Sequence, residues 1–141
     1  MKRNIILLLI LMCCWSINTS LYAQENSSTT LELLQSKNWI MWFPSKQDFS
    51  VVDKFSSNIW HSIFSYSGKD TDMKRIFFLS NSPDINDESG KRAALETGKY
   101  IITDEGRLKA VFEILKLTPD SLILKNLNNS SILTYFSKVE K

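Results

Sequence analysis

The sequence predicts an all-β fold, a small antiparallel up-and-down β-barrel preceded by a short N-terminal helical turn. Three observations predict it. Residues 111–118, 121–126 and 132–138 are short segments rich in β-branched, leucine and aromatic side chains, each too short for a helix with its own core face. The links between them carry turn chemistry. Thr118-Pro119-Asp120-Ser121 suits a type I turn, with proline presetting φ at the second position, and Leu127-Asn128-Asn129-Ser130 supplies asparagines that tolerate positive φ. Finally, 141 residues with 43% hydrophobic and 11% aromatic content make one domain with enough apolar volume to fill a compact core.

The chain opens on a different pattern. Met1-Lys2-Arg3-Asn4 is basic, residues 5–15 are apolar, and Leu21-Tyr22-Ala23 ends on the small residue that signal peptidase prefers. Residues 1–23 therefore read as a signal peptide cleaved after Ala23, which sends the protein to the periplasm or cell envelope. The apolar run is shorter than the ~20 residues that span a bilayer, so no stable transmembrane helix is expected in the mature chain. Lipid attachment at Cys13 or Cys14 is the competing reading, but Met12 and Cys13 stand where bacterial lipoboxes carry a small residue. Cleavage removes both cysteines, leaving no thiol for a disulfide, a nucleophile or a zinc site, and no cofactor is expected. It also removes Lys2 and Arg3, so 15 bases face 15 acids. A neutral chain gives no reason to expect a nucleic-acid partner.

Residues 24–30 are polar and read as a flexible leader. Thr30 is the expected N-cap of a turn carrying Leu31, Leu33 and Leu34. Residues 36–43 form the first expected strand, halted by Pro44. Phe49, Val51 and Phe55 alternate with polar residues, Ser56-Ser57-Asn58 turns the chain, and Trp60, Phe64 and Tyr66 share one face of the next strand. Residues 68–72 are expected as a polar turn before a strand over 74–80, in which Phe77 and Leu79 oppose Ile76 and Phe78. Residues 81–97 break the rhythm and form the longest connection, the natural lid or rim loop. Strands resume at 99–103, with a turn at Asp104-Glu105-Gly106. The stretch from Leu108 fits helical and strand spacing alike. Strand is the better reading, with a bulge after Ile114 where the apolar parity shifts.

The helical turn, the strand bearing Trp39, Phe78-Leu79-Ser80-Asn81, Gly98-Lys99-Tyr100-Ile101-Ile102 and residues 112–118 together resemble the lipocalin-like domain proteins that gut-commensal Gram-negative bacteria secrete to their envelope. The family's glycine two residues before the tryptophan is Lys37 here. The resemblance implies an eight-stranded barrel over residues 31–141 whose interior can hold one small apolar ligand.

The candidate lining is Trp39, Trp60, Phe64 and Phe77 from the first half, with Tyr100, Phe112 and Tyr135 from the second. Filling of the barrel by these rings is the competing expectation. His61, the single histidine, reads as a surface or hydrogen-bonded residue. Asp84, Asn86 and Glu88 alternate as calcium ligands do, but Leu95 stands where the bidentate glutamate belongs, so no metal site is expected. Asp120-Ser121-Leu122 matches a short O-glycan acceptor pattern in a turn expected to be exposed. Asp48 and Asp53 read as solvated charges. With no triad, phosphate loop or paired carboxylate, the expectation is a non-catalytic carrier of a hydrophobic or amphipathic ligand. The alternative is a protein-interaction module, such as an immunity protein or inhibitor of a secreted toxin, whose protein partner meets Trp42, Phe43 and the 81–97 loop.

Overall fold

A computed structural model describes residues 28–45 and 48–137. The expected signal peptide, its cleavage point, Cys13 and Cys14 and most of the leader lie outside the described residues.

Eight antiparallel strands form a closed barrel in sequence order. They are β1 (Asn38–Met41), β2 (Phe49–Ser56), β3 (Ile59–Tyr66), β4 (Lys69–Ser80), β5 (Tyr100–Glu105), β6 (Leu108–Thr118), β7 (Ser121–Asn126) and β8 (Ile132–Ser137). β8 returns to β1 through Trp39 opposite Ser137, Ile40 opposite Phe136 and Met41 opposite Tyr135. Two short helices, α1 (Thr30–Gln35) and α2 (Ser89–Ala93), complete the described elements. Among the described residues no helix is long and apolar enough to cross a membrane.

Alternation decides which side chains enter the barrel. In β2 the inward set is Val51, Asp53 and Phe55, all buried, while Ser50, Lys54 and Ser56 between or beside them are exposed. β6 is a strand throughout, and its register with β7 shifts between Ile114 and Lys116. Leu115 is the extra residue and faces solvent. The bulge explains why apolar parity changes there without helical periodicity.

Antiparallel order gives the barrel two unlike ends. One end gathers α1, the β2–β3 turn and the β4–β5 connection. There α1 inserts Leu34 into a core cluster with Trp39, Phe55, Phe77 and Leu79. Trp39 Nε1 donates to the Leu34 carbonyl at 2.9 Å, so the plug is held by packing and by a buried hydrogen bond. The opposite end gathers the β1–β2, β3–β4, β5–β6 and β7–β8 connections.

Three local expectations need correction. The N-cap of α1 is Thr29, whose hydroxyl accepts from Glu32 N while the Glu32 carboxylate accepts from Thr29 N, a capping box that favours the earlier threonine. The polar segment 68–72 is mostly strand. Ser67 and Gly68, both at positive φ (49° and 76°), turn the chain in two residues, and β4 then pairs with β3 from Lys69 onward. Its first half extends beyond the pairing with β5, which begins at Ile76, and this explains why it is polar on both faces.

The 81–97 connection does not border the open end of the barrel. It folds back at the helical end, where Leu31 N donates to Glu96 O at 2.9 Å. Within it, α2 lies so close to β4 that a Cβ built on Gly90 would stand 1.7 Å from the Leu79 carbonyl oxygen.

The plug at Trp39 generates a stability prediction. Trp39→Ala should lower the unfolding free energy by about 3–5 kcal/mol, whereas Lys37→Ala at the neighbouring exposed position should stay within about 0.5 kcal/mol. Urea titration followed by circular dichroism measures both.

Candidate functional site

The inward parity that fills the helical end with aromatic rings places polar groups nearer the other end. Asp53 stands between Val51 and Phe55 in β2, opposite Trp39 of β1 and Ser62 of β3. Ser62 in turn lies between Trp60 and Phe64, and Trp60 is opposite Arg75 of β4. Tyr135 comes from β8 across the closing seam. These side chains surround a cavity of about 160 Å³, with Met41 and Leu133 toward its mouth.

The floor is packed aromatic. Phe55 and Trp60 have centroids 4.9 Å apart, Phe55 meets Phe77 edge-on at 5.2 Å, and Trp60 meets Phe112 at 5.0 Å. Above the cavity, Phe43, Phe49 and Phe64 form a chain with centroid spacings of 5.3 and 6.3 Å. The interior is thus filled at one end and hollow at the other.

The polar groups of the wall gather around one carboxyl. Burial pushes the Asp53 carboxyl above its ordinary range, and nearby Ser62, Tyr135, Trp60 and Arg75 pull it back only in part. Burial and the Asp53 charge drive the Tyr135 phenol far up, so its hydroxyl keeps its proton. Asp53 Oδ1, Trp60 Nε1 and Tyr135 Oη are fully buried beside one another, short of ideal hydrogen-bond geometry.

Arg75 is better supported. Its guanidinium lies 4.8 Å from the Trp60 ring centroid, Nη2 donates to Met73 Sδ at 3.2 Å, and Nε stands 3.6 Å from Glu105 Oε1. Nε nevertheless has no hydrogen bond. Imperfectly paired buried polar atoms cost about 1–3 kcal/mol each, and the four residues that carry these atoms all border this one hollow.

Four of the expected lining residues, Trp60, Phe64, Phe112 and Tyr135, do border the cavity. Trp39 and Phe77 are buried in the packed core rather than at the hollow. Tyr100 is on the outside, correcting its placement in the lining. It pairs with Ser80 and Glu113 on the parity opposite Ile101, and the Lys99 ammonium lies 5.7 Å from its ring centroid. Both Tyr100 and Ile101 are large and apolar enough for the interior, and the register gives the place to Ile101.

Asp53 is the larger correction, because it is 1% exposed rather than solvated. Its signal was parity: it shares a face with Val51 and Phe55, as Ser62 does with Trp60 and Phe64, and Arg75 with Phe77. Asp48 is exposed. His61 faces outward, its Nε2 3.3 Å from Asp72 Oδ2.

The acidic stretch after Asn81 uses its oxygens locally. Asp84 Oδ1 accepts from Asn86 N, and Asp87 Oδ2 accepts from the Ser80 and Ser89 hydroxyls. Ser121 is half-buried at the start of β7, with its amide bound to Thr118 Oγ1, rather than in an exposed turn. Trp42 and Phe43 belong to the mouth end and the 81–97 connection to the helical end, so they do not share a patch.

A larger hollow of about 510 Å³ lies outside the barrel between α1, β4 and α2. Among its lining residues, the Gln35 amide donates to Ser57 O and the Lys91 ammonium binds Asp104. The buried polar residues Asp53 and Ser62 border the smaller, interior cavity instead. Comparison with known protein families, curated proteins and solved structures finds no match to the chain.

The strain at Asp53 has a readable pH signature. A carboxyl whose folded pKa is raised above the unfolded value contributes most stability below pH 3.8 and loses it as pH rises through the folded pKa. Asp53→Asn should therefore stabilise the protein at pH 7 by about 1 kcal/mol or more, several degrees in Tm, and the advantage should vanish as pH falls below about 4. Paired melts from pH 3 to 8 cancel the opposite contributions of Asp87 and Asp104, whose pKa values are lowered.

Proposed function

We propose that the chain is a non-catalytic, lipocalin-like binding protein that admits a small amphipathic molecule through the Phe43–Phe49–Phe64 mouth into the cup. The observation that carries this reading is a cavity of about 160 Å³ in an otherwise packed barrel, bordered by Asp53, Trp60, Ser62, Arg75 and Tyr135 among apolar side chains. A purely structural barrel gains by placing apolar side chains there. A binding protein keeps a few polar groups beside an apolar cavity to orient its ligand.

The basic-apolar start and Ala23 support delivery to the periplasm or envelope as part of the same proposal. The protein-interaction reading loses its expected contact surface, since the exposed Trp42 and the 81–97 connection are at opposite ends.

Indole, a small aromatic with one donor, is a suitable first probe. Saturating indole at about one hundred times its Kd should raise the unfolding free energy by about 2.7 kcal/mol. Ser62→Met, which fills the cup, should abolish that gain while preserving the cooperative melt. Calorimetric titration showing equal binding to the wild type and to folded Ser62→Met would remove the cup as the site.

A further inference from the structure

We propose that the hollow between α1, β4 and α2 is a second binding site, outside the barrel and independent of the cup, for a small amphipathic anion. Its apolar tail lies along Leu31, Ile76, Phe78 and Leu95, and its head group meets the Lys91 ammonium. At about 510 Å³ the hollow falls within the ~300–1,000 Å³ of small-molecule pockets.

The walls of this groove are fixed from behind. The Gln35 amide holds α1 on Ser57 O, while α2 is held by the close seat of Gly90 on Leu79 and by Lys91 on Asp104. The Leu31–Glu96 backbone bond joins the two sides at one end. Walls anchored in this way do not slide together to cover the floor. Ile76, on the outward parity of β4, is accordingly 42% exposed, while Phe77 beside it belongs to the core.

The groove is polarised along its length. Leu31 and Leu95 lie at the joined end, and Lys91 lies at the other, because it binds Asp104 and Asp104 pairs with Ile76. Among the residues that line the groove, Lys91 is the one that is charged. Its ammonium carries three donors, of which Asp104 Oδ2 takes one at 3.2 Å, and the others suit a carboxylate. The Lys91 side chain is 47% exposed, so an anionic head bound there keeps part of its hydration and escapes the cost of full burial. A cationic head meets like charge instead.

Octanoate, butyrate and octylammonium, titrated calorimetrically at pH 7, test the assignment. Octanoate should bind at least about tenfold more tightly than butyrate, which lacks four methylenes, and than octylammonium. Lys91→Met, which keeps an apolar stem, should weaken octanoate at least about fivefold, the worth of a charge-assisted contact at a partly exposed site. Ile76→Glu, at a half-exposed position, puts a negative charge in the floor and carries the same expectation if Lys91→Met does not fold. Ser62→Met, remote from the groove, should leave octanoate affinity within about twofold.

Loss of octanoate binding in folded Ser62→Met assigns that ligand to the cup and overturns the exterior site. Unchanged affinity in folded Lys91→Met or Ile76→Glu overturns it too, as does butyrate or octylammonium equalling octanoate, or octanoate failing to bind. Sedimentation showing a dimer that Ile76→Glu dissolves gives the groove to a second copy and likewise overturns the proposal.

Discussion

The ladder between β1 and β8 is the constraint on which the rest depends. It is short, three residue pairs extended by the Trp42 amide donating to Thr134 O at 2.8 Å, yet it converts a curved sheet into a closed barrel. Without it Tyr135 and Asp53 belong to opposite edges of the sheet. With it they stand one strand apart on either side of β1, since Trp39 pairs with Asp53 and Met41 with Tyr135. Closure therefore makes the edge-free architecture and assembles the cup in one step. The plug of Leu34 and Trp39 lies beside this seam, so packing at the helical end supports its weakest strand pair.

The interior is divided by chemistry rather than by a wall. Toward α1, rings and aliphatic side chains interlock, with Phe55, Phe77 and Trp60 in tilted or edge-on contact. Beyond Trp60 the inward positions pass to Asp53, Ser62, Arg75 and Tyr135. Trp60 belongs to both halves, its ring packed into the floor and its Nε1 buried beside Asp53. The same indole is covered by the Arg75 guanidinium, which Glu105 holds from β5. This support keeps a cation close to the cup without spending it on Asp53, and the carboxyl is left with a raised pKa from burial. Such an arrangement is poor for stability.

The two ends of the barrel are specialised accordingly. The 81–97 connection is tied to α1 and pressed onto β4 at Gly90, so the longest connection strengthens the plugged end. The mouth is made from short turns and from the Phe43–Phe49–Phe64 chain. Length of a loop was therefore a misleading guide to where access lies. A connection with many polar residues can satisfy them internally, as Asp84 and Asp87 do, and become part of the frame.

Alone, the sequence determined the β architecture, the bulge after Ile114 and much of the aromatic interior, because short apolar runs, prolines, asparagines and period-two alternation act over a few neighbouring residues. Trp60, Phe64, Phe112 and Tyr135 were legible for that reason. Only tertiary structure decided that Ile101 rather than Tyr100 faces inward, that Asp53 is buried, and that Arg75 rests on Trp60. Those outcomes depend on interstrand register and on barrel closure, which bring together residues from β2, β3, β4 and β8. Local patterning can suggest a face for Asp53, but only the surrounding strands remove it from water and set the carboxyl, indole, phenol and guanidinium around one cavity.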